Sequence, residues 1–382
     1  MTPEEVELLS QLTIVILTYN RPRELERSIE YWRDTPVTVH ILDGSKTPWF
    51  PIGRLRDVPK VNYHHMPPEN NEGIQGNYCR RMGHATTLPT TKYSALCADD
   101  DVFSVSGLNA LLRLLENNFE IDAVVGQSLG FYVREGVVRW WLRYGAASVG
   151  NSFSRDTDAV VRLRRSKLMP YYAVVRTDFW KKRMQITKDH GWLKERWETL
   201  FQDAGKALFR STSINQIVWF RSKTIIHPHE AMYAYMREWA NGQGKNYEVD
   251  SYADILVEAI LLVSPDTDKG ILKKRIHEFV KNHPESRGQF PRFKIFKNAV
   301  LIKLLSRLDE TTVSKLPVGL REELFRYYIP AKIAAAIGTK KVLDEFLPSF
   351  LKSGISFDLD ELKNFEELLL KPREELRLRA NI

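Results

Sequence analysis

The first 125 residues alternate between short apolar runs and segments with helical periodicity, and this alternation constrains the fold more than any other feature. Residues 12–18 form a continuous run rich in β-branched side chains, which suits a parallel strand covered on both faces. Four further runs follow, with helical patterns between most of them: 37–42, 61–66, 93–98 and 121–125. Strand–helix alternation of this kind predicts a doubly wound, mostly parallel α/β sheet.

Polar residues follow three of these predicted strands at the point where each strand ends. Thr18, Tyr19 and Arg21 lie at the end of the first strand, Asp43 at the end of the second, and Asp99–Asp101 at the end of the fourth. In open α/β sheets, ligands bind beyond the carboxyl ends of the strands. The sequence therefore predicts a binding site along this edge.

The three consecutive carboxylates Asp99, Asp100 and Asp101 are the strongest sign of chemistry in the chain. Burying several negative charges at the end of an apolar strand is unfavourable unless a cation neutralises them. Alternate residues of an extended chain point to opposite faces, so Asp99 and Asp101 could converge on one ion while Asp100 turns away. Hard oxygen ligands favour Mg²⁺ or Mn²⁺. An acidic turn that caps the following helix is the alternative for an isolated triplet.

Beyond residue 128 the regular alternation ends. Residues 131–134 and 137–141 flank a Glu-Gly turn and predict a β-hairpin. Further elements are predicted in this part of the chain: strands at 171–175, 217–220 and 224–226, and helices that begin at 178 and at 192.

After about residue 246 the apolar pattern is helical throughout, with stripes at 256–263, 271–280 and 301–308. We therefore expect an α/β domain over residues 1–245 and an α-helical domain over residues 246–382. The second part carries basic clusters, which indicate either solvated helix faces or contact with an anionic membrane surface or partner.

Composition narrows the class of protein. The 382-residue chain is 43% hydrophobic and carries a net charge of +8, which favours polyanionic partners such as nucleotide phosphates. Its two cysteines exclude a disulfide framework and a four-cysteine zinc site, and they suit a reducing cytosolic setting. No run approaches the roughly 18 apolar residues that span a bilayer. We expect a cytoplasmic protein, with a peripheral contact on the inner face of the membrane as the further option.

Nucleic acid is not the expected partner, because basic and aromatic residues are not interleaved on one predicted face and no nucleic-acid motif occurs.

Three segments, taken in order and spacing, resemble a known family: Leu12–Pro22, Leu42–Ser45 and Ala98–Phe103. Together they look like the opening of a GT-A glycosyltransferase of the family-2 type, and the resemblance covers roughly residues 10–230. It implies a Rossmann-like GT-A domain, a nucleotide-sugar donor that is usually a UDP-sugar, a divalent metal, and inversion at the anomeric carbon. It further implies hexosyl or N-acetylhexosaminyl transfer to a glycan or lipid-linked acceptor, as in bacterial surface polysaccharide synthesis.

The resemblance also implies roles for individual residues. The nucleotide pocket would be lined by the residues that follow the first strand: Thr18, Tyr19 and Arg21. Asp43 would accept a hydrogen bond from the base, Asp99 would lie near the ribose and the metal, and Asp101 would ligate the metal directly. In the family this motif is often Asp-X-Asp-Asp, whereas here Val102 follows the three aspartates. Which aspartate corresponds to the family's metal ligand is therefore open by one position. Asp100 is also a candidate for donor binding. The family's basic residue after the third strand has two counterparts here: Arg80 and Arg81.

Catalysis of this kind needs a group that activates the acceptor hydroxyl, which is poorly acidic in water. The segment Arg196–Leu200 resembles the position that supplies this base, so Glu198 is the first candidate and Asp203 the second. His227 and His229 follow a predicted strand at alternate positions. Some GT-A enzymes use a late histidine on the metal or the diphosphate, which makes both histidines candidate ligands.

Two other classes compete with this interpretation. A sugar nucleotidyltransferase would need a glycine-rich phosphate loop directly after the first strand, and Thr18–Pro22 contains no glycine. A catalytically degenerate protein that only binds a sugar or nucleotide would keep the same motifs, so donor turnover has to separate it from an enzyme.

Overall fold

The computed structural model describes residues 1–48, 58, 60–69, 73–134, 136–142, 155–165, 172–189, 197–222, 249–282, 342–351 and 354–372. Within these ranges nine strands form one sheet: β1 Leu12–Thr18, β2 Thr38–Asp43, β3 Val61–His65, β4 Tyr93–Ala98, β5 Val102–Phe103, β6 Ala123–Arg134, β7 Val137–Leu142, β8 Val174–Arg176 and β9 Ser211–Ser222.

Eleven helices occur in the same described ranges: α1 Pro3–Ser10, α2 Pro22–Trp32, α3 Gly73–His84, α4 Val105–Glu116, α5 Ala159–Arg165, α6 Thr177–Asp189, α7 Trp197–Leu208, α8 Val249–Leu261, α9 Lys269–Asn282, α10 Leu343–Leu351 and α11 Leu359–Leu370.

The sheet is mixed but mostly parallel. Its strand order is β3-β2-β1-β4-β8-β6-β9-β5, and β7 pairs with β6 outside this path. The pairings make six strands run in one direction (β1, β2, β3, β4, β6 and β9), while β5, β7 and β8 run against them. The prediction of an α/β protein with a mostly parallel central sheet is confirmed.

Local signals in the sequence fix many of these elements. Helix α2 begins at Pro22, whose fixed φ suits a first helical turn, and its stripe of Leu25, Ile29 and Trp32 is buried. The predicted hairpin is present as β6 and β7. The strands predicted at 121–125 and 131–134 are one continuous strand, β6, because the sheet pairs the residues between them as well.

Helix α1 was not predicted from the sequence. It is short, and it is stabilised by a capping box in which the Glu5 amide donates to Thr2 Oγ1 at 3.3 Å and the Thr2 amide donates to Glu5 Oε2 at 2.8 Å. Its buried residues, Leu8 and Leu9, are too few to give a clear helical period. The elements predicted at 224–226 and 301–308 lie outside the described residues.

The described helices after residue 249 share the cores of the sheet. Helices α10 and α11 belong to the apolar cluster that contains β1, β2, β4, α2 and α4. Helices α8 and α9 belong to a second cluster with α5, α7 and parts of β6 and β8. A separate helical domain with its own core is not seen among the described residues, and the boundary between residues 245 and 246 stays a prediction.

None of the helices in the described part of the chain combines the length and the apolar character needed to cross a bilayer.

Candidate functional site

The register of the parallel strands brings the predicted polar residues to one edge. Thr18 is the partner of Asp43 across β1 and β2, and Leu17 is the partner of Ala98 across β1 and β4. Asp99 therefore follows β4 directly beside Thr18. The carboxyl ends of three neighbouring strands meet here, as expected for a ligand site in a parallel sheet.

Asp99 is held by the segment that follows β1. Its Oδ2 accepts a hydrogen bond from Thr18 Oγ1 at 2.7 Å, and its Oδ1 accepts one from Arg21 Nη1 at 2.9 Å. The same Arg21 nitrogen lies 2.9 Å from Asp100 Oδ2. Asn20 turns the chain between these groups with a φ of +54°, a left-handed conformation that asparagine tolerates better than most residues. Arg21 thus joins two carboxylates of the triplet.

The Asp43 carboxylate is oriented by its own turn. Its Oδ1 accepts hydrogen bonds from the Ser45 amide at 2.8 Å and from Ser45 Oγ at 2.5 Å, and its Oδ2 accepts one from the Tyr63 hydroxyl. Asp43 is buried. Tyr63 lies on the neighbouring strand β3, and nothing in the sequence pattern singled it out.

Asp101 is held by residues that lie just before β8 and at the end of β9. Its Oδ2 accepts a hydrogen bond from the Tyr172 hydroxyl at 2.6 Å, and its Oδ1 accepts one from the Ser222 amide at 2.7 Å. Arg221 Nε lies 3.5 Å from Asp101 Oδ2, and its guanidinium packs over the rings of Tyr172 and Trp219. Tyr172, Arg221 and Ser222 are functional candidates that the sequence did not indicate.

The extended backbone on which the expected convergence of Asp99 and Asp101 rests is not observed. Residues 99–101 leave the strand in a turn, in which the Asp101 amide donates to the Ala98 carbonyl at 3.3 Å, so the alternation of an extended chain does not apply. Asp99 and Asp100 share Arg21 instead, while Asp101 contacts β9. Asp100 is the most exposed of the three, with 13% of its side chain accessible against 4% for Asp99 and 3% for Asp101.

Burial and mutual repulsion perturb the carboxylates. Burial, and then the charge of Asp100, raise the pKa of Asp99 to about 6, against the opposing effect of Arg21 and Thr18. The same two causes raise the pKa of Asp101 to about 7, against Arg221, Tyr172 and Ser222. Arg21 and Arg221 therefore neutralise the triplet only in part, and a further cation would stabilise its ionised form.

The donor chemistry of the triplet fits Mg²⁺ or Mn²⁺, because it offers only carboxylate oxygens and carries uncompensated negative charge. Within the described ranges, however, no three acidic, histidine or cysteine side chains are already arranged as a metal site. His227 and His229 lie outside the described residues.

The two candidate arginines of α3 have different surroundings. Arg81 is 2% exposed, and its Nη1 donates to the carbonyls of Thr18 at 2.8 Å and Leu42 at 3.1 Å. Arg81 therefore links the carboxyl ends of β1 and β2 through these two hydrogen bonds. Arg80 is 29% exposed, and it contacts the Pro67 carbonyl and Glu69. Arg80 is therefore the more accessible of the two for a ligand, while Tyr19 is half-buried at the same edge.

The candidate bases lie on α7. Glu198 is the second residue of this helix. Asp203 is buried, its Oδ2 accepts a hydrogen bond from the Tyr252 hydroxyl at 2.8 Å, and its Oδ1 lies 3.2 Å from Lys206 Nζ. These contacts join α7 to α8 and do not bring Asp203 into the network around Asp99 and Asp101.

No protein-family model matches this chain, and no curated protein sequence matches it. Among solved structures, the 1–349 segment of S. aureus TarS is similar at 16% identity over 85% of this chain and 88% of that chain, with a TM-score of 0.43. The same segment in complex with UDP gives the same values. Its complex with UDP-GlcNAc gives 16% identity over 85% and 89%, with a TM-score of 0.39. These values are too low to assign this chain a family or an activity.

Proposed function

We propose that this protein is a metal-dependent, inverting glycosyltransferase with a GT-A-type domain. It would move a sugar from a nucleotide donor, a UDP-sugar, to a hydroxyl of a glycan or lipid-linked acceptor. One observation carries this proposal: Thr18, Arg21, Asp43 and the Asp99–Asp101 triplet gather at the carboxyl edge of three adjacent parallel strands.

Donor binding would use the groups along this edge. Arg21 is partly accessible, and its planar guanidinium has more N–H donors than its two carboxylate contacts use, so it can also hold a diphosphate oxygen. Asp43 is a fixed acceptor and suits a base that presents an N–H donor, such as uracil. Tyr19, which directly follows Thr18, and Arg80, which contacts the Pro67 carbonyl beyond β3, would complete the nucleotide pocket.

Mg²⁺ or Mn²⁺ would be held by the Asp triplet, with Asp101 as the direct ligand that the family resemblance implies and Asp100 as the most accessible carboxylate. His227 and His229 are further candidate ligands. A divalent cation, when bound, stabilises the negative charge that grows on the leaving diphosphate. The residues of this chain supply the rest: Arg21 orients the diphosphate, and the buried edge limits the access of water.

Glu198 is the proposed general base. Inversion requires one carboxylate that takes the proton of the acceptor hydroxyl on the face opposite the leaving group. Of the two candidates, Asp203 already accepts hydrogen bonds from Tyr252 and Lys206, which suits a packing role. Glu198 stands at the start of the same helix and is the residue that the family resemblance favours.

The proposed setting is the synthesis of a bacterial surface polysaccharide, with peripheral contact to an anionic membrane. Two members of the basic cluster on α9 are already paired, Lys273 with Asp254 and Arg275 with Asp158, both at 2.8 Å. A membrane contact would therefore rely on Lys274 and on the basic residues at 287–297, which lie outside the described ranges.

A thermal-shift series with UDP-sugars tests the donor site. A ligand that binds only the folded state raises the unfolding temperature, so a UDP-sugar with Mn²⁺ should stabilise the protein more than either alone. Asp100→Asn and Asp101→Asn keep the side-chain shape and should each reduce the Mn²⁺-dependent part of the shift. A full shift that persists in both variants would contradict the metal assignment. Binding without release of UDP would favour the degenerate binding protein.

A further inference from the structure

We propose that α11 belongs to the scaffold of the candidate site and that Glu361 is a positioning residue for the Asp99–Asp101 segment. The structural part of this inference is independent of function, and its effect on ligand binding rests on the proposed function. The helix lies more than 250 residues after the triplet in sequence, yet it contacts the segment that follows Asp101 and the strand β9.

Glu361 caps the helix that follows the triplet. Its Oε2 accepts hydrogen bonds from Ser104 Oγ at 2.7 Å, Ser106 Oγ at 2.7 Å and the Ser106 amide at 3.2 Å. Its Oε1 accepts one from the Val105 amide and one from the Tyr31 hydroxyl at 2.8 Å. One carboxylate therefore satisfies amides at the start of α4, where negative charge also interacts favourably with the helix dipole.

These contacts reach the triplet through a very short connection. Only Val102 and Phe103, the strand β5, separate Asp101 from Ser104. The Tyr31 hydroxyl that contacts Glu361 also lies 2.9 Å from the Phe103 carbonyl. Loss of the Glu361 carboxylate would therefore loosen the start of α4 and the Tyr31 contact at Phe103, and Asp101 is the nearest charged residue before this segment.

The second connection runs through β9. Phe365 lies one turn after Glu361 on the same face of α11, and its ring stacks on Phe220 with the centroids 4.9 Å apart. Phe220 immediately precedes Arg221 and Ser222, which both contact Asp101. Helix α11 thus packs on the β5–α4 segment that directly follows Asp101 and on β9, whose last residues contact the Asp101 carboxylate.

A matched control lies on the same helix. Glu366 Oε2 accepts a hydrogen bond from Trp140 Nε1 at 3.0 Å, and Trp140 belongs to β7. Glu366→Gln therefore alters a partly buried carboxylate of α11 whose partner Trp140 packs beside Phe220 and Phe365, while it leaves the Glu361 contacts to the β5–α4 segment in place. A purely structural role for Glu361 predicts that Glu361→Gln and Glu366→Gln behave alike, and a positioning role predicts that only the first affects the site.

Amide hydrogen exchange of the full chain tests the structural part. We expect Glu361→Gln to speed exchange at the Asp101 and Ser222 amides about fivefold or more, since weakening a charged hydrogen-bond acceptor loosens the groups it ordered. Glu366→Gln should leave both amides within about twofold of the wild type. Unchanged exchange at Asp101 and Ser222 in Glu361→Gln would overturn the proposal. Should that variant fail to fold, Tyr31→Phe removes one hydroxyl of the same network and should give a smaller change in the same direction.

Titration calorimetry with UDP and Mn²⁺ tests the functional part. Groups that orient metal or ligand contacts typically change affinity by about 10- to 100-fold when altered, so Glu361→Gln should weaken binding about tenfold and Glu366→Gln less than about twofold. Equal affinities in Glu361→Gln and the wild type would overturn the positioning role. A wild type that binds neither UDP nor Mn²⁺ would refute the proposed function alone, and the exchange experiment would still decide the place of α11 in the scaffold.

Discussion

Asp99 and Asp101 are two residues apart and belong to different halves of the sheet. Asp99 is held by Thr18 and Arg21, which follow the parallel strand β1. Asp101 is held by Tyr172, Arg221 and Ser222, and the last two end β9, in the half that contains the antiparallel pairs. The triplet therefore lies at the junction of the two halves. The three consecutive aspartates are therefore held by two sets of residues that come from different parts of the chain.

The two halves also differ in how exposed their contacts are. The two arginines are similarly accessible, 26% for Arg21 and 20% for Arg221, but Arg21 also contacts Asp100, the most exposed carboxylate of the triplet at 13%. We infer that the diphosphate meets the Asp99 side through Arg21, while Asp101, the proposed metal ligand, also fixes the turn through its buried contacts. The predictions below test this division, beginning with the largest effect.

Asp101→Ala should destabilise the fold by about 3 kcal/mol, because removing one member of a buried ionic network leaves the remaining polar groups unpaired. Asp100→Ala should cost about 1 kcal/mol or less, since the Asp100 carboxylate is more exposed and contacts a partly exposed arginine. Urea unfolding of both variants measures the difference. Equal losses in the two variants would remove the distinction between the two sides of the triplet.

Arg21→Ala should reduce kcat/KM with a UDP-sugar about 100-fold, which corresponds to roughly 2.7 kcal/mol, because it removes a charged donor from the developing diphosphate. Arg80→Ala should have a smaller effect, since this residue lies at the margin of the site and already contacts Glu69. Steady-state kinetics of the two variants checks the order. A larger effect at Arg80 would move the diphosphate away from the Asp99 side.

The loss of folding stability at acid pH should arise mainly in the part of the sheet formed by the parallel strands β1 to β4. Burial, then the charges of His64 and His84, lower the pKa of His40 to about 4, and His40 Nδ1 lies 3.1 Å from His64 Nε2. The described strands β5 to β9 contain no histidine. A histidine whose folded pKa is lowered stays neutral in the folded protein while the unfolded chain takes up a proton, so stability falls as the pH drops from about 6.5 towards 4.

Replacing His40 should make the free energy of unfolding less dependent on pH below about pH 6.5. Between pH 7 and pH 5 the wild type should lose about 1 kcal/mol more than His40→Gln, a value reduced for the partial exposure of the ring. Urea unfolding at several pH values gives the two slopes. Parallel curves for the wild type and His40→Gln would place the acid sensitivity elsewhere.

The Asp99 side was predictable from the sequence because its parts are local. The pattern of residues 12–22 predicts a buried strand and the turn that follows it. The parallel arrangement of the strands then places Thr18, Arg21, Asp43 and Asp99 on one edge of the sheet. Continuous apolar runs carry this information without any knowledge of tertiary contacts. The edge and its residues therefore followed from periodicity and strand direction alone.

The Asp101 side was not predictable in the same way. Tyr172 and Ser222 lie 71 and 121 residues beyond Asp101, and no spacing rule connects them. Glu361 lies 256 residues from the Val105 amide that it accepts from, in a helix whose sequence is that of an ordinary amphipathic surface helix. The expectation that Asp99 and Asp101 converge also depended on an extended backbone, and a turn replaces it. Long-range contacts and local departures from strand geometry are the two kinds of information that periodicity does not contain.

The most direct test of the central claim is release of UDP from UDP-sugars by the purified protein with Mn²⁺, measured beside Arg21→Ala and Arg80→Ala. The account predicts UDP release with at least one UDP-sugar, dependence on the divalent cation, and a loss of about 100-fold in Arg21→Ala. UDP release that is the same in Arg21→Ala as in the wild type, or none from any UDP-sugar in the presence of acceptor glycans, would contradict it.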